Sequence, residues 1–291
     1  MELNSILFPA PAPSYDADTF PGELIWIPRL TKQDNPPIPC LYLTCPRGSS
    51  KVMLYFHGNA EDIGLAYELM DHLRSTLLVH ILAVEYPGYG IYVGEPSANR
   101  VIDDADNIFN YLTQEVGMNP RDIMVFGRSI GSGPATWIAS HKNPGALLLM
   151  SAYTSIRSVV RNVAGKLAQF LVAERFCNLE HMANVTCPTF LVHGQKDTLI
   201  PYSNSQQLHE VCAGPCSLIL PKDMDHNEFD FFDDLSLPFS AFLMQCGISV
   251  FPDSLQNAFL NIPASLFAPP TVQPRNNNRG RWNKFFRMFS S

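Results

Sequence analysis

The 291 residues are 46% hydrophobic and 16% charged, which is enough apolar sequence for a sizeable core and excludes a disordered chain. A formal net charge of −7 argues against nucleic acid as the main partner, and no apolar run approaches the roughly 18 residues that a bilayer span needs. Seven cysteines, an odd number scattered from Cys40 to Cys246, read as reduced cytoplasmic thiols; no spacing among them suggests a metal site, and none is expected.

Residues 1–22 are proline-rich (Phe8-Pro-Ala-Pro-Ala-Pro13) and predict an extended N-terminal arm lying on the body. Residues 23–29 and 38–45 read as a leading hairpin, separated by a loop with Pro36 and Pro37. A buried strand is expected over 51–56, a helix over 63–78, and a strand over 81–85 that ends in the turn Tyr86-Pro-Gly-Tyr-Gly90. Residues 97–116 place Val101, Ala105, Ile108, Phe109 and Leu112 on one helical face. Further short apolar strands are expected over 122–126, 146–150, 189–192 and 217–220, with an acidic, apolar helix starting near Glu228.

This alternation implies an α/β fold with a mostly parallel central sheet of about eight strands flanked by helices. Residues 153–185 break the rhythm with a helical pattern and are expected to form a short helical cap. The main domain is then 23–247, followed by a proline-containing tail, 248–291, that docks loosely or not at all.

Gly127-Arg128-Ser129-Ile130-Gly131 stands between the strand 122–126 and a run of small and apolar residues able to open a helix. Strand, sharp turn and helix are the context in which a G-x-S-x-G serine is lifted out as a nucleophile. The pentapeptide alone is weak, since a chain of this length holds one by chance roughly one time in ten. Three further features give it weight. Asp197 follows the strand 189–192, His226 follows the strand 217–220, and His57-Gly58-Asn59 closes the strand 51–56. Ser129, Asp197 and His226 thus come in the chain order of an α/β-hydrolase fold, and the loop at Asn59 falls where its oxyanion hole belongs.

In that chemistry His226 takes the Ser129 proton, Asp197 orients the imidazole, and no metal or cofactor is required. The backbone N–H of Ile130 and one from Asn59 or Ala60 are the candidate oxyanion donors. His57 and His193, each before a glycine at a strand end, are expected to brace loops. Asp223 and Asp225 are too near His226 in sequence to orient it easily, and Arg128 is expected to be an ion-pair partner.

Residues 275–291 carry five basic residues and no acid. Trp282, Phe285, Phe286 and Phe289 would share one helical face, with Arg281, Lys284 and Arg287 off it, the pattern of a short helix in reversible contact with an anionic membrane surface.

The chain resembles one branch of the α/β-hydrolase superfamily, the small serine hydrolases related to the fungal Bem46 protein, which includes cellular depalmitoylases. The likeness covers about residues 8–246. It rests on His57-Gly-Asn-Ala-Glu-Asp62, Glu85-Tyr-Pro-Gly-Tyr-Gly90, Gly127-Arg-Ser-Ile-Gly-Ser-Gly133, His193-Gly-Gln-Lys-Asp197 and Asp225-His-Asn-Glu228, with Pro13-Ser14-Tyr15 and Thr154-Ser155 in addition. The resemblance implies Ser129 as nucleophile, Asp197 as acid and His226 as base, with a minimal cap. Vertebrate depalmitoylases of this branch carry an N-terminal cysteine cluster, whereas residues 1–39 here hold no cysteine.

The expected activity is hydrolysis of acyl esters or thioesters through an acyl-enzyme, with S-acylated protein the favoured substrate. The expected setting is cytoplasmic, peripheral on a cytosolic membrane face. The alternatives are a carboxylesterase or lipase acting on small or lipid-like esters, and a non-catalytic membrane-associated binding protein. Oligomeric state is not legible.

Overall fold

Runs such as Val52–Phe56 and Ala146–Met150 are apolar at every position, which suits strands covered on both faces rather than one. The computed structural model describes residues 8–31, 36–164, 176–250 and 259–270, and there these runs are central strands of one eight-stranded sheet. The strands are β1 (Leu24–Ile27), β2 (Ile38–Leu43), β3 (Val52–Phe56), β4 (His80–Val84), β5 (Ile123–Arg128), β6 (Ala146–Met150), β7 (Thr189–Val192) and β8 (Cys216–Ile219). Their spatial order is β1-β2-β4-β3-β5-β6-β7-β8. The leading hairpin is antiparallel, β2 joins β4 antiparallel, and β3 to β8 pair in parallel.

The helices are α1 (Tyr67–Leu77), α2 (Ala98–Asn110), α3 (Ser132–Lys142), α4 (Ile156–Ala164), α5 (Asn178–Met182), α6 (Ser203–Val211) and α7 (Leu237–Gln245). Alternate strand residues face opposite layers. Leu54, Val125, Leu147 and Leu149 pack with Val101, Ala105 and Ile108 of α2 and with Ala135 and Ile138 of α3. Met53, Tyr55, Phe126 and Leu148 pack with Leu69, Met70 and Leu73 of α1 and with Phe239 and Phe242 of α7. Two cores, one on each face, leave the carboxyl ends of the parallel strands as the edge where loops can converge on a site.

Element ends depart from the expected ranges for local reasons. The first helix begins at Tyr67 rather than at 63, because Asp62 accepts the Leu65 N–H and holds 62–66 as a turn. After β8, Asp225 accepts the N–H groups of Asn227 and Glu228, and Asp230 those of Phe232 and Asp233. These turns push the acidic helix on to a π-helical turn at Phe231–Ser236, continued by α7 with a proline in its first turn. Helix α6 was not anticipated, because Leu208 is its only large side chain sunk in the core.

The N-terminal arm is built in more tightly than an overlay. Ser14 donates its backbone N–H to Asp62 at 2.8 Å, and the buried Tyr15 hydroxyl donates to Glu85 at 2.8 Å. Burial, followed by the Glu85 charge, raises the Tyr15 phenol well above its ordinary pKa and keeps it a donor. Gly64 and Gly90 leave the space that Tyr15 fills. At the other end, Leu260, Ile262, Leu266 and Phe267 pack against the core. Of the expected cap, α4 and α5 flank residues 165–175, which lie outside the described residues, as do all the basic and aromatic residues from Arg281 to Phe289.

Candidate active site

β5 runs out at Arg128, and Ser129 turns the chain with φ +51° into a short 3-10 turn (Ser129–Gly131) that feeds α3. A left-handed φ is costly for a residue bearing a Cβ, and such strain is typical of functional turns. The flanking glycines make the turn possible by close approach. A Cβ on Gly131 would overlap the Phe56 carbonyl of β3, and one on Gly127 would overlap the Gly131 carbonyl and meet the Ala135 methyl at 2.7 Å. Gly131→Ala is therefore expected to destabilise the fold by about 3 kcal/mol. Urea unfolding of the purified variant checks this, and an unchanged midpoint would contradict the close packing.

Asp197 leaves the carboxyl end of β7, and its side chain is fully buried. One oxygen accepts the backbone N–H groups of Leu199 (3.0 Å) and Ile200 (2.8 Å). The other accepts from His226 Nδ1 at 2.7 Å and lies 3.2 Å from His193 Nε2. Burial works against the charge, but the hydrogen bonds from His193, His226 and the Ile200 amide together hold the carboxyl well below the usual carboxylate range. With Nδ1–H committed to Asp197, His226 presents Nε2 as an acceptor to the Ser129 hydroxyl at 3.0 Å. Ser129, Asp197 and His226, far apart in sequence, are thus joined in one hydrogen-bonded chain.

Asp223 and Asp225 are occupied elsewhere: Asp223 pairs with Lys196 at 2.6 Å on the surface, and Asp225 holds the turn after His226. His193 is fully buried, with Nδ1 on Ser205 Oγ and Nε2 on the Ile200 carbonyl, each at 2.7 Å. Since both neighbours of Nε2 are acceptors, it carries the proton and steadies the Asp197 carboxylate. The sequence hinted at a brace there but not at its target.

His57 is also fully buried, its Nδ1 on the Gly58 carbonyl at 2.9 Å and its Nε2 on Glu85 at 3.0 Å. Burial works to lower the ring's pKa, yet the Glu85 hydrogen bond and charge raise it, and the His57–Glu85 contact ties down the root of the loop. Beyond it, Asn59 and Ala60 are exposed. The Asn59 amide oxygen accepts from Tyr89 at 2.8 Å, and Ala60 adopts φ +58°. The Ile130 N–H lies in the first turn leading to α3, where backbone amides lack helical acceptors and the helix dipole favours negative charge.

A model of the serine hydrolase (FSH1) family matches residues 94–227. The chain is 28% identical over 195 residues to α/β hydrolase domain-containing protein 17B of Xenopus tropicalis, covering 67% of each chain. It is 28% identical over 202 residues to protein 17C of mouse, 69% of this chain and 62% of that one. Among solved structures it is similar to the esterase Pf2001 of Pyrococcus furiosus, with a TM-score of 0.65 at 18% identity over 82% of this chain and 98% of that one. The doubly covered parallel sheet with a strand-turn-helix elbow between β5 and α3 has the α/β-hydrolase fold, and over residues 94–227 the chain is similar to serine hydrolases.

Proposed function

We propose that Ser129, His226 and Asp197 form the catalytic triad and that the enzyme hydrolyses the thioester of S-acylated proteins. The observation that carries the triad is His226 bonded to both partners at once, 2.7 Å to Asp197 and 3.0 Å to Ser129. His226 Nε2 takes the Ser129 proton as Oγ bonds to the thioester carbonyl carbon. The tetrahedral oxyanion is met by the Ile130 N–H and by an N–H from Asn59 or Ala60. On collapse the C–S bond breaks, and the imidazolium returns its proton to the departing cysteine sulfur. Water, deprotonated by the same imidazole, then attacks the acyl-enzyme, releasing the fatty acid and restoring Ser129. Buried and kept anionic, Asp197 stabilises the imidazolium in both halves.

The substrate class is supported by the resemblance to depalmitoylases, carried by the stretches from His57 to Glu228, and by similarity to proteins 17B and 17C. An acylated protein sits at a membrane surface, and the aromatic and basic residues from Arg281 to Phe289 would bring the enzyme there reversibly. No helix among the described residues is long and apolar enough to cross a membrane.

The test compares acyl-cysteine peptides with matching oxygen esters over acyl chains from acetyl to palmitoyl. Since each buried methylene contributes about 0.8 kcal/mol, kcat/KM for the thioester is expected to rise at least ~10-fold with chain length. Preference for short oxygen esters would instead identify a carboxylesterase.

A further inference from the structure

Resting on that hydrolase reading, we infer that Arg128 and Glu61 form a positioning clasp that locks the oxyanion loop and the His226 loop onto the nucleophile elbow. Arg128 immediately precedes Ser129, so its guanidinium is anchored to the elbow itself. One of its nitrogens, Nη1, donates to Glu61 Oε2 at 2.8 Å, and both side chains are mostly buried. The other Glu61 oxygen accepts the Gly58 backbone N–H at 2.6 Å. One carboxylate therefore joins the elbow to the loop that carries Asn59 and Ala60.

Arg128 Nη2 reaches the other way. It donates to the His226 carbonyl at 3.3 Å and to Asn227 Oδ1 at 3.1 Å, while the guanidinium carbon lies 5.7 Å from the centre of the Phe229 ring. A planar, multi-donor fork can hold several acceptors in fixed directions, which a lysine ammonium cannot reproduce. Gly58 supplies an independent sign that the space is built for this pair. A Cβ there would lie 2.9 Å from Glu61 Oε1 and 3.2 Å from Arg128 Nη1. The glycine of His57-Gly58-Asn59 thus makes room for the clasp. Neither the Arg128 nor the Glu61 side chain belongs to the Ser129–His226–Asp197 chain, yet the elbow, the Asn59 loop and the His226 loop all meet on the clasp.

Catalysis is sensitive to such placement, since a 1 Å displacement can cost about 10²-fold in rate. The experiment is steady-state hydrolysis of a p-nitrophenyl acyl ester by the full chain and by Glu61→Gln, Glu61→Ala, Arg128→Lys, Arg128→Met and the double variant Glu61→Ala/Arg128→Met, with unfolding midpoints for each. Glu61→Ala and Arg128→Met are expected to lower kcat about 100-fold with KM within about twofold. Glu61→Gln, which keeps an acceptor for the Gly58 N–H, is expected to lose only about 10-fold. The double variant should fall no further than the worse single one, because both substitutions open the same clasp.

Wild-type kcat in a folded Glu61→Ala, a loss expressed only in KM, or losses that multiply in the double variant would each overturn the clasp while leaving the hydrolase reading intact. Should Glu61→Ala fail to fold, Glu61→Gln and Arg128→Lys decide, and wild-type kcat in both overturns the clasp. A wild-type protein with no turnover at all would remove the hydrolase reading and the clasp with it.

Discussion

Ser129→Ala and His226→Ala are each expected to lower kcat on acyl-cysteine peptides by about 10⁴-fold or more. The two changes should cost nearly the same, because the hydroxyl and the imidazole joined at 3.0 Å act as a unit. Both variants should fold, since each replacement is smaller and leaves the elbow backbone and its glycines unchanged. A fluorophosphonate probe checks the same unit without a substrate: peptide mapping should find the adduct on Ser129 in the wild type and none in either variant. An adduct on another residue, or turnover that survives Ser129→Ala, would remove Ser129 from the mechanism.

The second large effect is expected for Asp197→Asn, about 10⁴-fold in kcat with little change in KM. Asp197 takes four donors, two backbone amides and two imidazoles, with a fully buried carboxylate. An amide in its place can keep the amide contacts but turns an N–H toward His226, favouring the tautomer that presents a proton rather than a lone pair to Ser129. The same carboxylate links stability to acid. Its folded pKa is depressed below the unfolded value of about 3.9, so its stabilisation is present above that pH and is lost as pH falls through the folded value. Urea unfolding as a function of pH should therefore show a flatter acid decline in Asp197→Asn than in the wild type. Parallel acid limbs would contradict the linkage, and near-wild-type kcat would assign the acid's role elsewhere.

Much of this architecture was legible because its causes are local. The β5 run, the small residues around Ser129 and the start of α3 follow from strand periodicity, turn sterics and helix-forming composition within about twenty residues. The parallel sheet followed from alternation, because a strand covered on both faces is apolar at every position. Where boundaries slipped, side chains had competed with backbone partners. Asp62 and Asp225 each hold a turn where hydrophobic spacing alone predicts helix. Helix α6 escaped notice because a polar helix resting on one deep leucine has almost no apolar period to read.

The chain order of Ser129, Asp197 and His226 was open to sequence, as was the choice of Asp197 over the two acids beside His226. His57, His193 and Arg128 were legible as braces or ion-pair residues, but their partners were not. His193 on Asp197, Glu85 joining Tyr15 to His57, and Arg128 gripping Glu61 and the His226 carbonyl span 4, 70, 28, 67 and 98 residues. Four of these five contacts join segments that no local period connects, and His193 reaches Asp197 only because the loop after β7 turns back. Sequence by itself pointed to the α/β fold and to Ser129, Asp197 and His226 as the candidate set, since those readings depend on residue type and on short-range turn geometry. Only the tertiary structure decided how the loops are held at bonding distance, because buried charge must find its partner wherever the fold brings one.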